Sequence, residues 1–273
     1  MQNIIFGSIV LYNNKIEELD KTINSFLSTR NDRILYLIDN SPTDILRTYL
    51  TDSRIIYSHT GNNLGFGAAH NIAIQESLKL QGRFHFIINP DILFDPEIID
   101  TMINYIQYDN TIGMMMPKIL NFDGTIQHLP KLLPTPLTIL YRKLLFPSKF
   151  KNRFLEKYEL RSLNQTTPVN LPILSGCFTL INLEILPLVG LYDDKYFMYF
   201  EDWDLSRRMH KVSKTIYFPL VYVYHGYESG ANRNIKLFFT FIKSAVFYFT
   251  KWGWFFDTDR KFINKEVLKN INV

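Results

Sequence analysis

The sequence contains a single cysteine, Cys177. One thiol can form neither an internal disulfide nor a cysteine-rich metal site, and such sparing use of cysteine is typical of a reducing cytosol. The first residues lack a basic start followed by an apolar run and a cleavage site, which predicts a cytoplasmic chain without a signal peptide. Repeats and low-complexity tracts are missing as well. The composition, 47% hydrophobic and 21% charged, indicates a folded globular protein.

The net charge of +4 is unevenly distributed. Residues 129–163 carry eight basic and two acidic side chains, and residues 231–273 carry eight and three. The rest of the chain is therefore acidic, which argues against nucleic acid as a partner. Both basic segments are also rich in Phe, Leu and Ile. This combination is expected at an anionic membrane surface, or alternatively on two solvated basic faces.

Short apolar runs alternate with amphipathic stretches in the first part of the chain. The runs predict strands at 4–11, 34–38, 54–58 and 84–88, and helical spacing predicts helices at 15–27, 68–80 and 96–108. This alternation indicates an α/β fold whose mainly parallel sheet is covered by helices on both faces. Because ligands of such sheets bind beyond the C-terminal ends of the strands, we expect chemistry at 12–14, 39–44, 59–67 and 89–91.

The second part of the chain is less regular. Residues 121–172 contain six prolines and are interpreted as an irregular insertion with one short helix at 137–145. Further elements are predicted at 174–182 (strand), 202–212 (helix), 215–224 (one or two short strands around Pro219) and 235–256 (a long aromatic helix). The predicted organisation is one domain, 1–230, followed by a helical extension, 231–273.

Two acidic clusters could carry chemistry. Asn89-Pro90-Asp91 follows an apolar strand and could deliver a carboxylate to a hard cation such as Mg²⁺ or Mn²⁺, although this composition is also common in turns. Glu201, Asp202 and Asp204 fall at a predicted helix start among aromatic residues. They could stabilise the helix dipole, but three acids within four positions exceed that need and favour a general base.

A histidine and a glycine-rich loop are weaker signals. His225 ends a predicted strand and could bind a metal or phosphate, or simply be a surface or core histidine. Gly65 and Gly67 open a predicted helix and could let a ligand approach the backbone. The third glycine of the dinucleotide fingerprint is replaced by His70, which disfavours a dehydrogenase, and no GxxxxGK[ST] loop is present, which disfavours a P-loop kinase or ATPase.

Taken together, six motifs resemble family 2 glycosyltransferases, in particular rhamnosyltransferase-like bacterial members, in the same order along the chain. The motifs are Val10-Leu11-Tyr12-Asn13, Ile38-Asp39-Asn40-Ser41, the 62–67 loop with Asn71, Asn89-Pro90-Asp91, Ser175-Gly176-Cys177-Phe178 and the 197–205 segment. The resemblance implies a GT-A fold with a Rossmann-like nucleotide-binding sheet over 1–230, in which 121–172 varies on the acceptor side. It also implies an inverting transfer from a nucleotide-diphosphate sugar, with dTDP-rhamnose as the lead donor, to a glycan or lipid-linked acceptor in cell-surface polysaccharide synthesis.

The resemblance further implies roles for individual residues. Asp202 would be the catalytic base, with Glu201 beside it and Asp204 in support. Asp91 and His225 would bind Mg²⁺ or Mn²⁺, whereas Asn89 departs from the Asp-x-Asp motif and would be a weaker contact. The residues expected to bind the nucleotide sugar are Tyr12, Asn13, Asp39, Asn40, Asn63, Gly65, Gly67, Asn71 and Asn89.

The extension suggests a membrane surface. Lys236, Lys243 and Lys251 share one helical face, and a spanning helix would place Lys243 near mid-bilayer at a cost of about 2.5–3.5 kcal/mol. An interfacial helix avoids this cost, which predicts peripheral attachment to the inner face of the cell membrane. The alternative is packing on the catalytic domain or on another subunit of a homo-oligomer.

Two other functions remain open. A sugar-phosphate nucleotidyltransferase also uses an α/β sheet and a metal, but it should carry a glycine-rich, basic N-terminal loop that residues 10–14 do not provide. A catalytically inactive sugar-binding module is the other alternative, and retention of Asp91, Asp202 and His225 argues against it.

Overall fold

The computed structural model describes residues 4–28, 32–143, 149–226 and 235–271. The strands are β1 Ile5–Leu11, β2 Arg33–Asp39, β3 Ile55–His59, β4 Phe84–Ile88, β5 Ile92–Leu93, β6 Ile112–Leu120, β7 Val169–Asn170, β8 Phe178–Asn182 and β9 Lys214–His225. The helices are α1 Ile16–Leu27, α2 Phe66–Lys79, α3 Glu97–Gln107, α4 Pro136–Lys143, α5 Lys149–Tyr158, α6 Leu186–Val189, α7 Glu201–His210, α8 Ile235–Trp252 and α9 Thr258–Asn270, with a 3₁₀ helix at Ile45–Tyr49.

The strands form one sheet in the order β3-β2-β1-β4-β8-β6-β9-β5, and β7 pairs with β9. The β3-β2-β1-β4 half is parallel. β8 pairs antiparallel with both β4 and β6, and β5 pairs antiparallel with the end of β9. The predicted α/β sheet is confirmed, and its mixed half brings the ends of β4 and β9 together.

Alternation of side chains along β1 explains why helices cover both faces. Ile5 and Ile9 lie in the main core, which also contains Phe26 of α1. Phe6 lies on the opposite face in a smaller cluster that contains Ala69 of α2. α1 approaches the sheet closely at Gly7, where a Cβ would lie 2.7 Å from the ring of Phe26.

Three predicted elements differ from the structure. The strand expected from 174 begins only at Phe178. β9 is a single strand that continues past Pro219, and its register against β6 shifts between Phe218 and Tyr222, as expected for a residue without an amide hydrogen. The insertion is more helical than predicted, since α5 follows α4; residues 144–148 lie outside the described part.

The long helix predicted to residue 256 is also wrong at its end. α8 stops at Trp252 because Gly253 adopts a φ of +100°, a left-handed conformation that favours glycine. Asp257 then caps α9, its side chain accepting a hydrogen bond from the amide of Arg260. The extension therefore consists of two helices, with residues 231–234 and 272–273 outside the described part.

One face of α8 packs on the domain. Phe241, Ala245, Tyr248 and Phe249 join Ile139, Tyr196 and Phe200 in a separate buried cluster. The hydroxyl of Ser244 donates to the carbonyl of Met198 at 2.7 Å. Within the described residues, no helix combines the length and apolar character needed to cross a bilayer.

Candidate active site

The ends of β4 and β9 bring three predicted residues together. Pairing of Ile92 with His225 sets the β9 end beside the turn that follows β4. The Nε2 atom of His225 lies 3.4 Å from Oδ1 of Asp91 and 3.3 Å from Nδ2 of Asn89. His225 is buried, whereas the side chain of Asp91 is 43% exposed. A carboxylate, an imidazole and an amide thus meet at an open edge of the sheet.

This donor set can accommodate a divalent cation. Mg²⁺ and Mn²⁺ accept carboxylate, carbonyl and imidazole ligands, and they usually retain water or phosphate oxygens. In the described part of the chain, no three His, Cys, Asp or Glu side chains form a metal-binding group. Among the described residues, this edge offers one carboxylate, one imidazole and one amide, so a cation held here would keep ligand positions for other oxygens.

The second acidic cluster begins α7. Tyr199 and Phe200 both have φ near +70°, an unusual conformation for non-glycine residues that marks functional turns. Asp202 is half-buried; one of its oxygens accepts from the amide of Gly176 at 3.1 Å and the other from the amide of Trp203. These bonds favour the carboxylate, while burial raises the pKa of Asp202 and the nearby charge of Lys131 opposes that rise.

Glu201 differs from its neighbour in its surroundings. Its side chain is buried, and among the described residues its Oε2 atom has no hydrogen-bond partner. Burial, followed by the charge of Asp202, raises the pKa of Glu201 well above its ordinary value. Of two carboxyls that share a low-dielectric site, one holds the proton. Burial without a partner on Oε2 disfavours the charged form of Glu201, whereas two amide donors favour the carboxylate of Asp202, so Asp202 is the better suited of the two to act as a base.

A three-residue segment, 175–177, links the two acidic clusters. The amide of Asn89 donates to the carbonyl of Cys177 at 2.8 Å, and the amide of Gly176 donates to Asp202. Burial raises the pKa of Cys177 to about 12, and the charges of both Asp91 and Asp202 act on it in the same direction. The two predicted key carboxylates thus lie on either side of one segment, not on opposite sides of the molecule.

The polar residues after β2 are engaged with one another. Asp39 is fully buried; it accepts from the hydroxyl of Tyr57 at 2.6 Å and from the amide of Ser41 at 2.8 Å. Asn40 donates to the carbonyl of Gly65 and to Asn63. These bonds join the ends of β2 and β3 to the glycine-rich loop. They build a rigid wall at the predicted nucleotide-binding edge.

The glycines of the loop serve close packing. Gly65 has a φ of +88°, and a Cβ there would collide with the carbonyl oxygen of Phe197. A Cβ on Gly67 would lie 2.8 Å from the Cβ of Tyr192. Asn71 exchanges hydrogen bonds with the backbone of Tyr192 and also donates to Asp194. The loop therefore positions the 192–197 segment, which leads into α7.

Tyr12 and Asn13 lie on the open side of this wall. They follow β1, and both side chains are exposed. Asn13 has a φ of +55°, and its amide donates to the hydroxyl of Ser41. Unlike Asp39 or Asn71, these two side chains are free to meet a ligand.

Two residues near the site, Lys131 and Gln127, belong to none of the motifs found in the sequence. Lys131 is buried, its ammonium donates to the carbonyls of His128 and Leu129, and burial lowers its pKa to about 7. Gln127 is buried and contacts His225. Both lie in the 121–172 segment. Their partners, Asp202 for Lys131 and His225 for Gln127, lie about 70 to 100 residues away, and a lone Lys or Gln in a sequence does not indicate such a distant contact.

Asp204 has a structural role. Its buried carboxylate accepts from Arg208 on α7, from Lys251 at 3.0 Å and from the indole of Trp252 at 2.8 Å. These bonds fasten the end of α8 to the helix that carries Asp202.

Comparison with known families supports the motif-based interpretation. The family model for glycosyl transferase family 2 matches residues 8–188. The matched range includes Asp39, the glycine-rich loop and Asp91, and it ends before α7 and His225.

Two curated relatives are similar over most of the chain. An N-acetylglucosaminyl-diphospho-decaprenol L-rhamnosyltransferase from Mycobacterium tuberculosis is 28% identical over 186 residues, which cover 64% of this chain and 60% of that protein. The low-salt glycan biosynthesis hexosyltransferase Agl10 from Haloferax volcanii is 25% identical over 202 residues, covering 74% and 60%. The matched region thus spans about 60% of the length of these relatives.

Two solved structures share the fold. GalNAc-T7, crystallised with UDP, GalNAc and Mn²⁺, superposes with a TM-score of 0.63 at 18% identity, over 83% of this chain and 44% of that one. S. aureus TarS 1–349 gives a TM-score of 0.52 at 15% identity, over 81% and 60%. The predicted GT-A architecture is confirmed.

Proposed function

Because the chain belongs to glycosyl transferase family 2, we propose that it is an inverting glycosyltransferase acting on a nucleotide-diphosphate sugar and a hydroxyl acceptor. The observation that carries the proposal is the 175–177 segment, which holds the turn of Asp91 on one side and Asp202 on the other. A transferase of this kind needs a site for the leaving diphosphate and a base for the acceptor within one cleft.

The geometry suggests separate roles for the two acidic clusters. Asp91 and His225, with Asn89 as a weaker contact, would hold Mg²⁺ or Mn²⁺, which when bound neutralises the charge that grows on the departing diphosphate. Asp202 takes the proton from the acceptor hydroxyl. The acceptor oxygen bonds to the anomeric carbon as the bond from that carbon to the diphosphate breaks on the opposite face. This single displacement inverts the anomeric configuration.

The donor and acceptor are proposed from the relatives. Rhamnose from dTDP-rhamnose is the lead donor because one relative is named a rhamnosyltransferase. That relative's name also specifies a diphospho-decaprenol carrier, so a lipid-linked glycan is the lead acceptor class. Tyr12 and Asn13 are the exposed side chains proposed to meet the nucleotide, while Asp39, Asn40, Asn63, Gly65, Gly67 and Asn71 are proposed to shape its pocket.

A thermal-shift panel of nucleotide sugars, with and without Mn²⁺, tests this function. A ligand that binds only the folded state at about 100 times its Kd adds roughly 2.7 kcal/mol of stability. We expect dTDP-rhamnose with Mn²⁺ to raise Tm more than UDP-GlcNAc does. Stabilisation followed by transfer to a polyprenyl-diphosphate glycan supports the proposal. No response to any nucleotide sugar contradicts it, and binding without transfer would indicate an inactive sugar-binding module.

We also propose that α8 attaches the protein to an anionic membrane surface. The face opposite the buried cluster exposes Ile235, Phe239, Ile242 and Val246, at the three- and four-residue spacing of one helical stripe. Phe255 and Phe256 beyond the helix are 75% and 92% exposed. Lys243 is exposed on the same helix, and Lys261 and Lys265 are exposed on α9. Apolar rings beside lysines suit an interface between headgroups and acyl chains.

Vesicle flotation tests whether the exposed apolar stripe of α8 binds a membrane. We expect wild-type protein to float with phosphatidylglycerol-containing vesicles, and the Phe239→Glu/Ile242→Glu variant to bind at least about 10-fold less, since burying either side chain contributes about 1.5–3 kcal/mol. Tyr108→Glu/Leu188→Glu is the matched control, because both residues are exposed and apolar but lie outside the extension. Equal flotation of all three proteins contradicts attachment through α8. A changed oligomer mass without changed flotation would identify a subunit interface instead.

A further inference from the structure

Gln127 contacts His225 at two points. Its Oε1 atom lies 3.0 Å from the Nδ1 atom of His225, and its Nε2 atom donates to the backbone carbonyl of the same residue at 2.9 Å. Both side chains are buried. The short turn that carries Gln127 is closed by a bridge between Leu120 and Ile126 and by a backbone hydrogen bond from Gln127 to Ile119. The amide is thus rigidly placed behind the imidazole.

The backbone carbonyl of His225 fixes the orientation of this amide. A carbonyl oxygen can only accept, so the atom of Gln127 that faces it must be the NH₂ group. The atom of Gln127 that faces Nδ1 is then the oxygen, which can only accept. Nδ1 of His225 must therefore carry a proton.

A chain of hydrogen bonds gives the same direction independently. Asp123 accepts from the hydroxyl of Thr125 at 2.6 Å, so that hydroxyl is free to accept from Nδ2 of Asn121 at 2.8 Å. The remaining oxygen of Asn121 accepts from Nε2 of Gln127 at 2.7 Å. In this series of hydrogen bonds, each donor is assigned in turn, starting from the carboxylate of Asp123. Nε2 of Gln127 is therefore the donor, and its Oε1 is again the acceptor that faces His225.

We infer that Gln127 is a positioning residue that holds His225 in the Nδ1–H tautomer. The lone pair of Nε2 is thereby presented toward Asp91 and Asn89, where a cation would bind. This inference rests on the proposed function in its assignment of the cation to that edge. Partners on the distal nitrogen of a metal-binding histidine fix both the ring and its tautomer, and their loss typically costs 10–100-fold in metal affinity.

Two measurements on the full chain test the inference, using Gln127→Leu. Long-range ¹H–¹⁵N spectra of ¹⁵N-histidine-labelled protein without metal report the tautomer, with the His225 signals assigned by a His225→Ala variant. We expect the Nδ1–H form in wild type and its loss in Gln127→Leu. Mn²⁺ binding followed by electron paramagnetic resonance, with dTDP present, should weaken about 10–100-fold in the variant. Gln107→Leu, an exposed site at the end of α3, is the matched control, and Gln127→Asn tests partial rescue.

The outcomes separate this inference from the function on which it rests. An Nε2–H tautomer in wild type overturns the positioning role, whatever the enzyme does. Mn²⁺ binding that is equal in wild type and Gln127→Leu also overturns it, while leaving the cation site intact. Failure of wild type to bind Mn²⁺ contradicts the cation site itself and removes the basis of the inference.

Discussion

Replacement of Asp202 by Asn is expected to lower kcat about 10²–10⁴-fold, the usual contribution of a general base. The donor affinity should stay close to that of wild type, because the edge at Asp91, which is proposed to hold the diphosphate, is untouched. The measurements are nucleoside-diphosphate release for kcat and calorimetric titration of the donor for Kd. Unchanged turnover would remove Asp202 from the proposed mechanism.

The role of Asp202 as a base also predicts the direction in which activity changes with pH. The base works only when ionised, and burial raises the pKa of Asp202 above its ordinary value. Wild-type activity should therefore fall as the pH drops through that raised pKa, and the residual activity of Asp202→Asn should lack this acidic limb. Lys131 opposes the rise, so Lys131→Met should move the limb to still higher pH.

Glu201→Gln is the matched control for Asp202→Asn. Burial and the neighbouring charge raise the pKa of Glu201, and a glutamine resembles the neutral carboxylic acid that this shift favours in size and charge. We expect Glu201→Gln to retain most of its turnover. The opposite pattern, with a large loss at Glu201 and a small one at Asp202, would assign the base to Glu201.

The sequence was sufficient to predict the parallel β3-β2-β1-β4 half of the sheet and the positions of the two acidic clusters at the ends of elements, but it did not predict β6. Apolar runs such as β1 and β4 are buried on both faces and have few alternatives to a central strand. Asp91 lies three residues after β4, and Glu201 begins α7 after an aromatic turn, so their positions at element ends could be anticipated. Local patterns of this kind depend only on neighbours in the chain.

Contacts between distant segments could not be predicted in this way. Gln127 meets His225 across 98 positions, through a turn whose position is set by the register of β6 against β9. Gly65 suggested an approach of ligand to backbone, yet the group nearest to its missing side chain is the carbonyl of Phe197. The composition of residues 231–273 led to the prediction of an extension separate from the domain. In the structure, buried contacts connect this extension to the domain.

The ion pair between Arg207 and Asp257 is the strongest of these contacts. Arg207 on α7 donates to both oxygens of Asp257 at 2.7 and 2.8 Å, and both side chains are almost fully buried. The guanidinium also lies 4.2 Å from the ring centroid of Trp252. Because Arg207 shares α7 with Asp202, this pair connects the extension directly to the helix of the proposed base.

Asp257→Asn is expected to lower the free energy of unfolding by about 3–5 kcal/mol, the cost of leaving one member of a buried ion pair without its partner. Asparagine can still cap α9 through its one oxygen, so the substitution removes the charge and one acceptor of Arg207 but leaves the cap. The measurement is the urea midpoint at constant m.

Asp259→Asn is the matched control two residues away. Asp259 pairs with Lys211, but both side chains are exposed, so its loss should cost at most about 1 kcal/mol. Equal effects of the two substitutions would contradict the importance of the buried pair. A separate early transition confined to the extension would show that it folds on its own. A single shifted transition is expected, because α8 packs on Phe200 in a buried cluster and Val267 of α9 lies in the main core.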